Sequence, residues 1–481
     1  MQSIRKAIAY SSAGRYLRLV IGLATSIVTA RMLSPEEIGT FAIASSVVMI
    51  MAEFRILGAN AYIVRLPTVG VEEIRSAYGL TILVSWGMGA VLAAAAWPLG
   101  NFFDTEGLVG VFLLLSVSFI FAPYISIPDA LMTRKYKFRE ITAINITSAI
   151  VQLAAVVLFI KMGLSFYSLA LSQLCGVLIK CSLGLFFTRE IKVYAPRLVG
   201  IKSIARLGIF VSVGHVIRKA QTTFPDMLIG KLGNPAQVGL FSRGLGFTVF
   251  SSSLVLSGIL PVALPYLSSV NNKGQDVGSA YRHAMQLITG VSWPILAVAS
   301  VASLPAIRLM FGDQWDQAAP VASVAAFWAM FRAAHVLAPN ALIAVGKEGS
   351  MLTKEVIVFV AFLLVTTFGY IANGIIGVAY AFVCSGAIDF LISSWFVRSK
   401  IGLNFLTYCM AMARSVVLAV ICWGAAKLLS FFVPFDQVPP FVIFLYMCAL
   451  MPVVWLGSIF MIGHPLKKQI MIVFRHVLAR N

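Results

Sequence analysis

Apolar blocks of about 18–24 residues recur along the chain, each long enough to carry a helix across ~30 Å of hydrocarbon. They predict about fourteen spans, at roughly 9–30, 38–58, 77–97, 107–127, 142–162, 165–187, 207–230, 239–264, 283–304, 319–340, 355–373, 375–397, 412–432 and 440–462. Pro294 interrupts the ninth, and almost nothing separates the eleventh from the twelfth. No connection is long enough for a soluble domain. At 60% hydrophobic and 11% charged, the chain is also far from the soluble norm of about half apolar and a quarter charged. The expected fold is all-α, a polytopic membrane protein.

The formal charge is +19, but Lys and Arg fall in short runs between the apolar blocks rather than on one folded patch. That distribution argues for membrane orientation and against a nucleic-acid partner. Basic connections include 133–140, 189–206, 397–400 and the tail after 464. The alternate connections at 100–107, 311–319 and 433–440 are poor in Lys and Arg. The basic set is expected in the cytoplasm together with both termini. The start of the chain reads as a first span rather than a cleavable leader. Cys175, Cys181, Cys384, Cys409, Cys422 and Cys448 lie in or beside apolar segments without a CxxC pair. They read as small buried hydrophobes, and no metal, cofactor or catalytic residue is expected.

An internal repeat organises the chain. SIRKAIAYSSAGRYLR (3–18) aligns with SIARLGIFVSVGHVIR (203–218) at an offset of 218 − 18 = 200. The ungapped register pairs Gly14 with Gly214, Arg15 with His215, Arg18 with Arg218, Pro35 with Pro235 and Gly39 with Gly239. An even number of spans between the copies makes them parallel repeats, a transporter plan with its site between the halves. The expected lobes are 1–200 and 201–400, six helices each, with two further helices and a tail in 401–481. SPEE (34–37) is a capping box, with Ser34 as N-cap, Pro35 at N1 and Glu37 at N3; NPAQ (234–237) repeats its grammar with Asn234 and Gln237.

The charged residues inside spans need a different reading. At about 100° per residue, Ser11, Gly14, Arg15, Arg18, Gly22, Thr25 and Thr29 share one arc of the first span. Gly214, His215, Arg218, Thr222, Pro225 and Asp226 share the corresponding arc of the seventh, with Lys219 at its edge. Arg15 is only ~8 Å from the cytoplasmic end and could snorkel, whereas Arg18 and Arg218 lie ~12–15 Å deep. Lipid does not solvate such a stripe, so it is expected to face the interior or a wet cavity. Arg15, Arg18, His215, Arg218 and Arg332 are the candidate substrate-binding cations. Arg332 and His335 share a face of the tenth span. Asp226, Lys219 and Asp389 are candidates for ion coupling or charge pairing. Glu53, Arg55, Lys161 and Lys180 lie toward span ends and read as snorkelling.

Several stretches carry a family resemblance: ARMLSPEEIGTFAIA (30–44), IPDALMTRKYKF (127–138), FPDMLIGKLGNPAQVGLFSR (224–243), ILPVALPYLSS (259–269) and FGDQWDQAA (311–319). They resemble the polysaccharide transporters, the Wzx-type and exopolysaccharide-export flippases of the multidrug/oligosaccharidyl-lipid/polysaccharide (MOP) superfamily. The resemblance covers roughly residues 1–400. It implies two six-helix lobes, alternating access and movement of undecaprenyl-pyrophosphate-linked oligosaccharide across the bacterial inner membrane, in exopolysaccharide, O-antigen or capsule synthesis. Expected partners are that lipid-linked oligosaccharide, anionic membrane lipids and a polysaccharide polymerase or co-polymerase. The relatives line their cavity with cations, which agrees with the stripe. A drug/cation antiporter would favour acidic cavity residues. A peptidoglycan-precursor flippase is not separable by sequence. A membrane polysaccharide polymerase or ligase, the alternative from another class, would need a sizeable periplasmic loop.

Overall fold

The computed structural model describes residues 2–54, 63, 69–188, 196–198 and 201–478, without the side chains of 2–13, 201–213, 215, 348 and 473–478. Arg55 and the side chain of His215 therefore lie outside the described residues. Every regular element described is helical: α1 (Gln2–Met32), α2 (Pro35–Phe54), α3 (Val71–Phe103), α4 (Leu108–Arg134), α5 (Phe138–Lys161), α6 (Tyr167–Phe187), α7 (Ile201–Leu232), α8 (Pro235–Asn272), α9 (Val277–Val301), α10 (Ser303–Phe311), α11 (Ala318–Ala334), α12 (Ala338–Ala344), α13 (Glu348–Ile401), α14 (Phe405–Phe432), α15 (Pro440–Ile462) and α16 (Leu466–Leu478). Among the described residues, eleven helical stretches are long and apolar enough to cross a membrane. The stripe helices α1 and α7 are not among the eleven, because their basic residues lower their hydropathy. The all-α, multi-pass expectation holds.

Prolines sit inside these helices without ending them: α9 runs through Pro294 and α7 through Pro225. Membrane helices tolerate this where neighbours satisfy the freed carbonyl. The real break is at Asn373–Gly374 in α13, where Asn373 has φ −152° and Gly374 has φ 54°. The positive φ suits a residue without Cβ. The two arms fold back on each other. A Cβ on Gly369 would lie 2.5 Å from the Gly377 carbonyl oxygen, and one on Gly377 would lie 1.9 Å from that of Gly369. Phe362 and Phe382 meet further along, with centroids 5.2 Å apart.

The chain forms two compact units, Met1–Gly239 and Leu240–Asn481. In the first, α1 packs on α5, α3 on α4, α6 on α4 and α5, and α2 on α7. In the second, α9 packs between α11 and α14, and α11 lies along α13. The packed face of α11 is small: Ala318, Ala322, Ala325, Ala329 and Ala333 are all buried. Lipid tails are as apolar as any side chain, so close backbone approach and dispersion replace the hydrophobic drive here.

The repeat is visible atom by atom in the first unit. The Leu33 N–H donates to Thr29 O at 2.9 Å, and the Gly233 N–H, 200 residues on, donates to Ile229 O at 2.8 Å. The Glu37 N–H donates to Ser34 Oγ at 3.2 Å and the Ser34 N–H to Glu37 Oε2 at 2.8 Å, completing the capping box. The Gln237 N–H donates to Asn234 Oδ1 at 2.9 Å. The two caps also touch reciprocally. A Cβ on Gly39 would lie 1.7 Å from Pro235 O, and one on Gly239 would lie 2.0 Å from Pro35 O. Reciprocity of this kind marks a local two-fold relation.

Candidate functional site

In the first unit, α1 divides its polar arc between packing and opening. Gly14 is buried, and a Cβ there would lie 2.3 Å from Thr142 Cγ2 of α5. This edge seats the helix. Arg15 is half-buried, Arg18 is exposed, and a Cβ on Gly22 would have nothing within 4 Å. Thr25 and Thr29 donate back to Ile21 O and Thr25 O, each at 2.9 Å, so these two hydroxyls are satisfied within their own helix. Asp129 of α4 lies in the field of both Lys180 of α6 and Arg18. Three helices thus bring one carboxylate and two cations to bear on one another. The sequence reading placed Lys180 among the snorkelling residues and used Asp129 only inside a family motif. An acid directly after Pro128 in an apolar span was the available signal.

On α7, Gly214 is buried and Arg218, Lys219 and Asp226 are half-buried. Thr222 and Thr223 both donate to the Lys219 carbonyl, at 2.8 and 3.0 Å. Asp226 lies in the field of Lys219, about two turns away on the same helix. Among the described residues, Gln221 Nε2 is buried without a hydrogen-bond partner. Its own carbonyl is the one freed by Pro225.

The second unit separates Arg332 from His335. α11 ends at Ala334, and His335 is its C-cap at φ −126°. The sequence reading ran one helix through both. Arg332 is exposed, with its guanidinium 5.4 Å from the Trp328 ring centroid. His335 is buried: Nδ1 is 2.7 Å from the Tyr281 hydroxyl and Nε2 is 2.8 Å from Ser394 Oγ. Tyr408 stacks on its ring at 4.7 Å and donates its hydroxyl to Ala334 O. Asp389 accepts from Lys354 Nζ at 2.9 Å and from Ser393 Oγ at 3.0 Å. Lys354 and Glu355, both buried and 3.4 Å apart, went unnoticed in the sequence because they sit only a turn or two into α13. From the last turns of α10, Arg308 grips Asp316 of the following connection with two nitrogens, at 2.9 and 2.7 Å, and donates to Asp436 O at 3.3 Å. The Asp316 carboxylate holds the Arg308 guanidinium above its usual range.

Comparison with known proteins joins these observations to a family. Residues 28–320 match the family model described as "Polysaccharide biosynthesis protein". The succinoglycan biosynthesis transport protein ExoT of Rhizobium meliloti is 22% identical over 61% of this chain and 60% of its own length. The teichuronic acid biosynthesis protein TuaB of Bacillus subtilis is 20% identical over 77% of this chain and 78% of its own. The lipopolysaccharide biosynthesis protein WzxC of Escherichia coli is 20% identical over 84% and 82%. Among solved structures, the lipid II flippase MurJ in an inward closed conformation superposes with a TM-score of 0.72 at 12% identity, covering 96% of this chain and 99% of that one. An inward-facing multidrug MATE transporter of the MOP superfamily gives 0.66 at 13% identity, over 80% and 94%. At such identities the structures speak for the fold. With more than half its length matched by the family model, the chain belongs to the polysaccharide biosynthesis protein family.

Proposed function

We propose that this protein is a flippase that carries an undecaprenyl-pyrophosphate-linked oligosaccharide from the cytoplasmic to the periplasmic leaflet of the bacterial inner membrane, by alternating access of two six-helix lobes and with both termini in the cytoplasm. The product serves exopolysaccharide, O-antigen or capsule synthesis, and the activity is transport rather than catalysis. The carrying observation is the pair of repeat-related helices, α1 and α7, that place Arg18 and Arg218 at equivalent positions 200 residues apart within a membrane protein. The names of the relatives, which include succinoglycan and lipopolysaccharide biosynthesis proteins, support the substrate class.

The chemistry follows from desolvation. A pyrophosphate entering a low-dielectric gap loses water contacts that fixed cations must replace. Arginine remains ionised there and offers a planar fork of donors to phosphate oxygens. Arg15, Arg18, His215, Arg218 and Arg332 are the proposed contacts. Several cations along a path hold the anion loosely enough for release on the far side, which one tight site would prevent. The test is the leaflet distribution of the lipid-linked oligosaccharide in cells carrying Arg18→Ala with Arg218→Ala. Cytoplasmic build-up with normal protein level is expected; normal periplasmic delivery would refute the reading. The fold likeness to the lipid II flippase favours a second reading, transport of a peptidoglycan precursor. Under that reading the double variant would arrest wall synthesis rather than polymer export.

A further inference from the structure

The buried charges of the second unit form a network that the proposed substrate path does not use. Lys354 Nζ meets Asp389 Oδ1 at 2.9 Å, Ser393 Oγ at 3.3 Å and Glu355 Oε1 at 3.4 Å. An ammonium has three protons to donate, and three acceptors surround it. Ser393 is followed directly by Ser394, whose hydroxyl reaches His335, and His335 in turn reaches Tyr281. The network therefore runs from the first arm of α13 through the second arm to α11 and α9. Tyr408 of α14 closes it by stacking on both Tyr281 and His335.

Charge balance points to a missing partner. One ammonium faces two carboxylates, so the ionised cluster retains one negative charge. Among the described residues, the titratable groups facing it from neighbouring helices are His335 of α11 and Tyr281 of α9, with Tyr408 of α14 behind them. α12 (APNALIA) has no titratable side chain, and Arg332 is exposed against Trp328. Both ring nitrogens of His335 are engaged by hydroxyls. An excess charge held among Lys354 and Glu355, each only 4% exposed, in a stretch apolar enough to span a bilayer, is costly unless it is compensated in part of the working cycle.

The opening is at Asp389. Both hydrogen bonds that reach it land on Oδ1, and 29% of its side chain is exposed. We propose that this cluster is a proton-binding site, with one proton added to a carboxylate oxygen of Asp389, cancelling the excess charge and freeing Lys354 to turn toward Glu355. Because Lys354 and Asp389 pin the two arms of α13 together and Ser394 ties them to α11, loading the site alters the packing of a helical hairpin. The site rests on the transport reading only for its purpose; proton binding itself needs no substrate.

The test uses the purified full-length protein in lipid, without substrate. Infrared difference spectra are recorded between alkaline and acidic pH at fixed salt. A protonated-carboxyl band is expected in the wild type and is expected to be lost in Asp389→Asn. Glu355→Gln is the companion variant: it leaves one ammonium against one carboxylate, so the Asp389 band is expected to appear only at more acidic pH than in the wild type. Retention of the full band in Asp389→Asn, or its absence from the wild type across the range of stability, overturns the proposal. Sodium is titrated at constant pH as a separate arm. A sodium-dependent change at Asp389 that pH does not reproduce would also overturn it, in favour of a metal cation. Should Asp389→Asn fail to fold, Asp389→Glu keeps the question open to measurement: it is expected to keep the band at a shifted position, and an unshifted band refutes the assignment. None of these outcomes depends on which glycan is carried.

Discussion

Gly39→Val probes the reciprocal cap contact. The new Cβ would start 1.7 Å from the Pro235 carbonyl oxygen, whereas ordinary contact begins at 3.4 Å, so α2 and the first turn of α8 must part by about 1.7 Å (3.4 − 1.7). The obstructing atom is backbone, so no rotamer change relieves it. Overpacking of this kind costs up to about 3 kcal/mol. Replacing helical glycine by valine returns roughly 0.5 kcal/mol of propensity. The net, about 2.5 kcal/mol, is roughly a 70-fold shift toward the parted state at 1.36 kcal/mol per decade. Val238 is 0% exposed beside this contact, which makes Val238→Cys in a cysteine-free background the reporter. Its labelling by a thiol reagent is expected to accelerate by one to two orders of magnitude in Gly39→Val. Gly22→Val is the control, since its Cβ meets nothing within 4 Å. Equal labelling rates in the parent and Gly39→Val, in folded protein, would refute the close-contact reasoning.

Three further outcomes are expected. Arg18→Cys should react with a charged, membrane-impermeant thiol reagent while Val20→Cys, 60% exposed on the apolar side of α1, should not; equal reactivity would place the stripe in lipid. His464 is pushed down from 6.5 to about 4 by burial and then by Arg414, with Leu466 N–H donating to its Nδ1 at 3.2 Å and Ser415 Oγ 3.1 Å from its Nε2. The folded state keeps this imidazole neutral while the unfolded chain protonates near 6.5, so its stabilisation is complete above that pH and is lost as pH falls toward 4. Thermal unfolding should show a pH slope in that window that His464→Gln flattens. Arg308→Met should release the connection at 313–316 from Asp436, costing about 1 kcal/mol and raising amide exchange there roughly fivefold, with an effect weakened by salt.

Local patterns carried much of the fold. The Ser34 and Asn234 caps and the turn at Asn373–Gly374 each depend on residues close in sequence, and each is where the spacing put it. Pro294 looked like a weakness and is not one, because Trp455 Nε1 of α15 donates to the Gly290 carbonyl that it frees, at 3.0 Å. Long-range burial was illegible. Lys354 and Asp389 are 35 residues apart, and nothing in either neighbourhood announces the other. Periodicity likewise extended one helix through WAMFRAAHVLAPN, whereas His335 leaves the helix to reach Tyr281, 54 residues earlier. The arginine stripe was readable as a face, but Gly14 shows that one edge of that face is a packing seam against Thr142.

Reconstitution decides the central claim most directly. Purified protein in liposomes would be given undecaprenyl-pyrophosphate-linked oligosaccharide on one leaflet, and a membrane-impermeant glycan-modifying enzyme would report its arrival on the other. Protein-dependent translocation that falls to the protein-free rate in Arg18→Ala with Arg218→Ala is the predicted result. Translocation that is absent with the unaltered protein, or that persists unchanged in the double variant, would contradict it.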